Sequence, residues 1–188
     1  DYTEFQSQLL ERWLSTDDVI DQFLVHQETG VPMPDALVAK IKKAATFNQG
    51  FATTEYLASA LMDMKLHLAD PTDLDVDAFE RETLAALNMP KELPMRHRTP
   101  HFGHVFSGEG YATAYYGYMW ADVLTADASE AFRDATGGFY DEAMSKKLVK
   151  YLFAPRNSID PAVAYRLFRG RDASIDALMR ARGFPVTL

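Results

Sequence analysis

Apolar residues recur at helical spacing along almost the whole chain, and no run alternates in the way a half-buried strand requires. Phe5, Leu9, Trp13 and Leu14 predict a first helix over residues 2–14. Ser15, Thr16 and Asp17 are cap-forming residues ahead of a second helix that reaches about His26. The stretch ETGVPMP predicts a loop, after which Pro34 suits the first turn of a helix running to Ala45. FNQG then breaks the pattern. A long helix comes next over about 53–69, with Tyr56, Leu57, Ala60, Leu61, Met64 and Leu68 on its apolar side, and Pro71 ends it. The next helix, about 76–88, turns Phe79, Leu84 and Leu87 inward. Asp73, Asp75 and Asp77 precede it as a solvated helix start, because the glycine and closing glutamate of a calcium loop are missing after them.

The stretch MPKELPMRHRTPHFG carries several prolines and predicts an irregular connection. It leads into HFGHVFSGEGYATAYYGYMW, which starts as a glycine loop and continues as a helix over about 111–126, extendable to Arg133. Thr136 to Gly138 punctuate that helix, and further helices are expected near 140–153, 160–168 and 173–182. With no internal repeat and no linker, the pattern predicts one all-α unit.

On a helix beginning at Tyr111, the residues Tyr111, Tyr115 and Tyr118 would share one face, within an arc of about 60°. Such a stripe is commonly a core face whose hydroxyls reach water. The neighbouring residues favour more than that. Ser107 to Gly110 free the backbone for unusual dihedrals and close approach, and His104 stands just ahead. Phenols, an imidazole and backbone amides on one wall are what an oxyanion-stabilising, peptide-gripping surface needs. Tyr116 and Trp120 fall off that face, where they are free to pack inward. His97, His101 and His104 also stand at i, i+4 and i+7, but Pro100 and Gly103 interrupt the helix that would align them, so a three-histidine metal site is not expected. His26 and His67 read as surface or half-buried histidines. No HExxH, GxSxG or phosphate-cradling glycine loop occurs.

Composition narrows the class further. The 188 residues are 47% hydrophobic and 24% charged, the balance of a folded chain, with a net charge of -8. An acidic surface argues against a nucleic-acid or anionic-membrane footprint. No apolar run is long enough to span a bilayer. Without cysteine the chain forms neither disulfides nor thiolate metal sites, which fits a reducing compartment.

Several separated segments, in order, carry a resemblance to a known family. DYTEFQSQLLERW resembles the M3 metallopeptidase segment that supplies the third zinc ligand, and HFGHVFSGEGYATAYYGYMW resembles that family's substrate-binding loop and tyrosine helix. FNQGFATTEYLASALMDMKLH and RNSIDPAVAYRLFRGRDASIDALMRARGF are similar to its bacterial peptidyl-dipeptidase branch. The resemblance implies a mostly helical zinc peptidase with a deep channel between two helical halves. It implies that Glu4 joins the two histidines of HExxH on zinc, with the HExxH glutamate as general base. By the same correspondence His104 hydrogen-bonds substrate, Tyr118 is the principal donor to the tetrahedral oxyanion, and Tyr111 and Tyr115 line the site. Gly108 and Gly110 would leave room for bound peptide.

The chain departs from the family in lacking HExxH, in a loop one residue longer, and in Gln6 where many relatives carry proline. It is therefore expected to be the C-terminal part of a longer cytoplasmic peptidase, inactive and binding no zinc alone. Its apolar faces would meet the missing N-terminal portion or, in isolation, promote self-association. Release of C-terminal dipeptides is the expected activity. The alternatives are an oligopeptidase-A-like endopeptidase and a non-catalytic helical module that holds peptides.

Overall fold

The computed structural model describes residues 2–186 and is helical throughout, with a single isolated bridge between Val25 and Pro32 among those residues. The α-helices are α1 Phe5–Glu11, α2 Asp17–Phe23, α3 Asp35–Ala44, α4 Gln49–His67, α5 Val76–Ala86, α6 Gly103–Phe106, α7 Gly117–Asp134, α8 Glu142–Leu148, α9 Pro161–Arg169 and α10 Ile175–Arg182. The described residues form two compact units, Asn48–Tyr118, and Tyr2–Phe47 together with residues 119–186.

In the first unit, Ala58 and Met62 of α4 pack with Phe79 and Leu84 of α5 and with Met89 and Met95 of the connection that follows. The buried face of α4 is only partly the one expected, with Ala60 buried as its spacing predicts. Ala58, Ser59, Met62 and Asp63 are buried, whereas Leu57, Leu61 and Leu68 are exposed. The α5 side chains meet α4 at Ala58 and Met62, a face that the leucine stripe does not reveal. The helix also begins earlier than expected, at Gln49, because the break falls on Asn48 in the left-handed region (φ 56°). Asp75 caps α5 by accepting the Ala78 N–H at 3.0 Å, so the acidic stretch is a helix start.

The second unit is built on a larger core of Phe5 and Leu9 from α1, Ala128, Ala131 and Phe132 from α7, Leu148, Leu152, and Ala164, Tyr165 and Phe168 from α9. Helix α1 is shorter than its apolar spacing predicts, giving way to a 3₁₀ turn over Arg12–Ser15. That turn sends the Trp13 indole edge-on against Phe132 and Phe139, 5.0 and 5.1 Å between centroids, and its N–H donates to the Phe139 carbonyl at 2.9 Å. Leu14 is left exposed.

Beside this core the fully buried Asp127 carboxylate accepts from the Tyr165 hydroxyl at 2.7 Å, Arg169 Nε at 3.1 Å and Arg171 Nη2 at 2.6 Å. Two guanidinium groups and a phenol compensate the desolvation of one carboxylate, so the group is held rather than strained. Asp122 in the same helix pairs with Arg12 and Arg182 at 3.0 and 2.8 Å, joining α7 to both ends of the chain.

A tyrosine wall set by a buried carboxylate

The expected continuous tyrosine helix is not what forms. Tyr111 closes a 3₁₀ turn over Glu109–Tyr111, residues 112–116 make a turn, and α7 begins only at Gly117. Thr113 causes the interruption, because its backbone adopts φ 58°. A β-branched residue in the left-handed region costs about 1–3 kcal/mol and persists only when its surroundings hold it. Nothing in the side-chain spacing signals that conformation.

The surroundings that hold it are identifiable. Asp63, on α4, is only 2% exposed. Its Oδ1 accepts the Thr113 N–H at 3.0 Å and its Oδ2 accepts the Tyr115 N–H at 3.1 Å. The His67 ring lies one turn along, Nδ1 at 2.8 Å from Asp63 Oδ1, and stacks on Phe106. On the other side of the turn, the Tyr56 hydroxyl donates to the Tyr115 carbonyl at 2.5 Å, and the two rings stack with centroids 5.2 Å apart. Sequence reasoning misses Asp63 and the Tyr56 hydroxyl. The one available signal is an aspartate and a histidine at i, i+4 within the otherwise apolar LMDMKLH.

Held this way, the turn brings together the residues that a helix was expected to align. The rings of Tyr111 and Tyr118 stack nearly parallel, 5.6 Å between centroids and 7° between planes, and Tyr115 meets Tyr118 edge-on at 5.6 Å. His104, from α6, lies 4.3 Å from the Tyr111 ring, and its Nε2 shares a 3.0 Å hydrogen bond with the Tyr118 hydroxyl. Phe102 supports Tyr115 edge-on at 4.9 Å, and His97 stacks on Phe102. The wall is thus three phenols and one imidazole backed by aromatic rings. Burial raises the Tyr115 pKa, with the Glu55 carboxylate adding to the effect and the Arg96 guanidinium opposing it. Its phenol is therefore a protonated donor at neutral pH.

Other expectations need correction. Gly108 is fully extended, a conformation open to any residue, and Gly110 has no positive φ either. The unusual dihedrals expected of these glycines are therefore absent, and a methyl group at either position would meet nothing within 4 Å. Trp120 is half exposed rather than packed in the core.

Glu4 belongs to the second unit, half-buried just ahead of α1, where its Oε2 accepts the Ser7 hydroxyl at 2.8 Å. Among the described residues no three His, Asp or Glu side chains gather closely enough to share a metal ion, and the sequence contains no HExxH. The described donors do not by themselves fit a zinc site, which takes three protein ligands when catalytic.

The sequence comparison supplies the family. The chain matches peptidase family M3 over residues 1–184 and belongs to it. It is 35% identical over 187 residues to the dipeptidyl carboxypeptidase of Salmonella typhimurium and 33% identical over 189 residues to that of Escherichia coli, covering 97% and 99% of this chain. Oligopeptidase A of Escherichia coli is 31% identical over 187 residues, again 97% of the chain. In each case the match spans 27% of the relative's own length. Among the described residues no helix is long and apolar enough to cross a membrane.

Proposed function

We propose that this chain is the substrate-binding and oxyanion-stabilising part of a zinc-dependent peptidyl-dipeptidase that removes dipeptides from peptide C-termini. The observation that carries the reading is the 3.0 Å bond between His104 Nε2 and the Tyr118 hydroxyl on a stacked tyrosine wall, in a chain similar to two dipeptidyl carboxypeptidases.

Tyr118 is the donor to the oxygen that becomes negative when the scissile carbonyl is attacked. His104 orients that hydroxyl in the free protein and hydrogen-bonds the peptide when it is bound. Tyr111 and Tyr115 flank the peptide, one as a stacked face and the other as a second phenol donor. Gly108 and Gly110 leave space on their open side for peptide backbone. One donor of this kind contributes about 3–4 kcal/mol to a transition state when it is aimed in advance.

Zinc belongs to this reading as a cofactor of the larger protein, where it would polarise the scissile carbonyl and lower the pKa of water. Glu4 is proposed to supply one carboxylate oxygen to it, and the remaining ligands and the general base would come from a portion of the protein outside these 188 residues. A cytoplasmic setting is part of the same reading, and the chain alone is expected to be inactive.

The test is dipeptide release by the longer peptidase, monitored by mass spectrometry on one peptide with a free C-terminus and on its C-terminal amide. Dipeptides from the free peptide, with the amide spared, support the proposal. Internal cleavage of both peptides at equal rates would make the protein an endopeptidase, the activity class of the oligopeptidase alternative.

A further inference from the structure

The wall depends on a turn whose conformation is not self-sustaining. Thr113 sits in the left-handed region without the freedom of glycine, and the chain direction it sets places Tyr115 and Tyr118. Three polar contacts grip residues 113–115, two of them from one carboxylate. Asp63 reaches both amides from inside α4, an element already fixed by packing of Ala58 and Met62 against α5. A buried aspartate is costly unless its oxygens are satisfied, and here backbone N–H groups and the His67 ring satisfy them. The carboxylate and the strained turn therefore require each other.

We propose that Asp63 is a positioning residue of the peptidase site. Its carboxylate holds the 113–115 turn so that Tyr115 and Tyr118 present their hydroxyls to the substrate, with Tyr56 fixing the opposite side of the same turn. Asp63 does not touch substrate; it acts through the tyrosines, and its catalytic consequence rests on the peptidase reading above. Asparagine has the same shape but replaces one acceptor oxygen with an N–H₂ donor, so it cannot receive both amides. A loss of about an ångström in the aim of a catalytic donor lowers turnover by up to about 100-fold without a matching loss of ground-state affinity.

Two measurements on Asp63→Asn separate this proposal from the peptidase reading. In the 188-residue chain, hydrogen exchange at Thr113 or Tyr115 is expected to accelerate by roughly tenfold or more, because the amide facing the new N–H₂ loses its acceptor and the other keeps only a neutral one. Exchange in α9 should stay unchanged. In the longer peptidase, kcat is expected to fall on the order of 10- to 100-fold while KM shifts little. Adding Thr113→Gly, which removes the left-handed penalty, should restore part of the lost kcat.

Unchanged exchange at Thr113 and Tyr115 in a folded Asp63→Asn chain would overturn the proposal. So would accelerated exchange with wild-type kcat. If the unmutated longer protein cleaves no peptide, the peptidase reading fails, and the exchange result alone decides whether Asp63 holds the turn. Should Asp63→Asn not fold, Tyr56→Phe removes the bond to the Tyr115 carbonyl and should give the same pattern at smaller size. Wild-type exchange and kinetics in that variant would also sink the idea.

Discussion

His104 Nε2 and the Tyr118 hydroxyl lie 3.0 Å apart although they stand fourteen positions apart in the chain. A 3₁₀ turn, an interrupted helix and a left-handed threonine lie between them, and the two rings still meet. The contact arises because both ends are fixed. Val105 is fully buried on α6 and Asp63 grips the turn ahead of α7. His104→Ala should therefore leave the fold intact but remove this hydrogen bond to the Tyr118 hydroxyl. In the longer peptidase this variant is expected to lose roughly 10- to 100-fold in kcat, a range usual for a misaimed catalytic group. Unaltered kcat, read from initial rates at saturating peptide, would remove His104 from the site.

Gly108 and Gly110 allow a cleaner separation of fold from function. Neither adopts positive φ and a Cβ at either position meets open space, so Gly108→Ala and Gly110→Ala should keep the wild-type unfolding midpoint. If the open side is where peptide backbone passes, each should raise KM in the longer peptidase. A lowered midpoint with unchanged KM would show that these glycines serve the fold instead.

Much of the architecture is legible in the apolar spacing, and the two closing helices show why. Helix α9 begins with Asp160 accepting the Ala162 and Val163 amides ahead of Pro161, and α10 begins at a Ser174 cap; both end on a left-handed glycine, Gly170 and Gly183. Those are local signals that need no tertiary context. The tyrosine segment carries none. Its spacing fits one helix, and the interruption at Thr113 comes from Asp63, fifty residues earlier in the chain. The buried face of α4 differs from its apolar stripe for the same reason: Leu57 and Leu61 are more apolar than Asp63, yet the aspartate is the one with partners waiting inside. The residue types and order point to His104, Tyr111, Tyr115 and Tyr118, whereas their mode of assembly depends on long-range contacts that spacing cannot encode.

Asp127 predicts a stability effect independent of any activity. It is fully buried with two arginines and one tyrosine bound to it, so Asp127→Asn leaves cationic groups facing a neutral amide. Breaking a buried pair from one side costs about 3–5 kcal/mol. Chemical denaturation of the 188-residue chain should show a loss of that order. Tyr165→Phe, which removes a single hydroxyl donor to the same carboxylate, should cost less, about 1–3 kcal/mol. A near-neutral Asp127→Asn would mean that the arginines find water instead.

The acid limb of stability has a defined contributor at the start of α8. Asp141 accepts the Met144 N–H at 2.8 Å and the Gly137 N–H at 3.2 Å, and these backbone bonds lower its pKa. The folded state thus prefers the carboxylate. Its contribution is complete above the ordinary aspartate value, about pH 4, and disappears as pH falls through the depressed folded value. Asp141→Asn should consequently flatten the dependence of Tm on pH below about pH 4 relative to wild type. Identical slopes would contradict the assignment.

The central claim is that the Tyr118 hydroxyl stabilises the oxyanion of peptide hydrolysis, and Tyr118→Phe tests it most directly. The measurement is kcat for dipeptide release by the longer peptidase, on an unblocked peptide, for wild type and variant. A loss on the order of 100- to 1,000-fold with KM little changed is the predicted result. A Tyr118→Phe protein that turns over at the wild-type rate would contradict it.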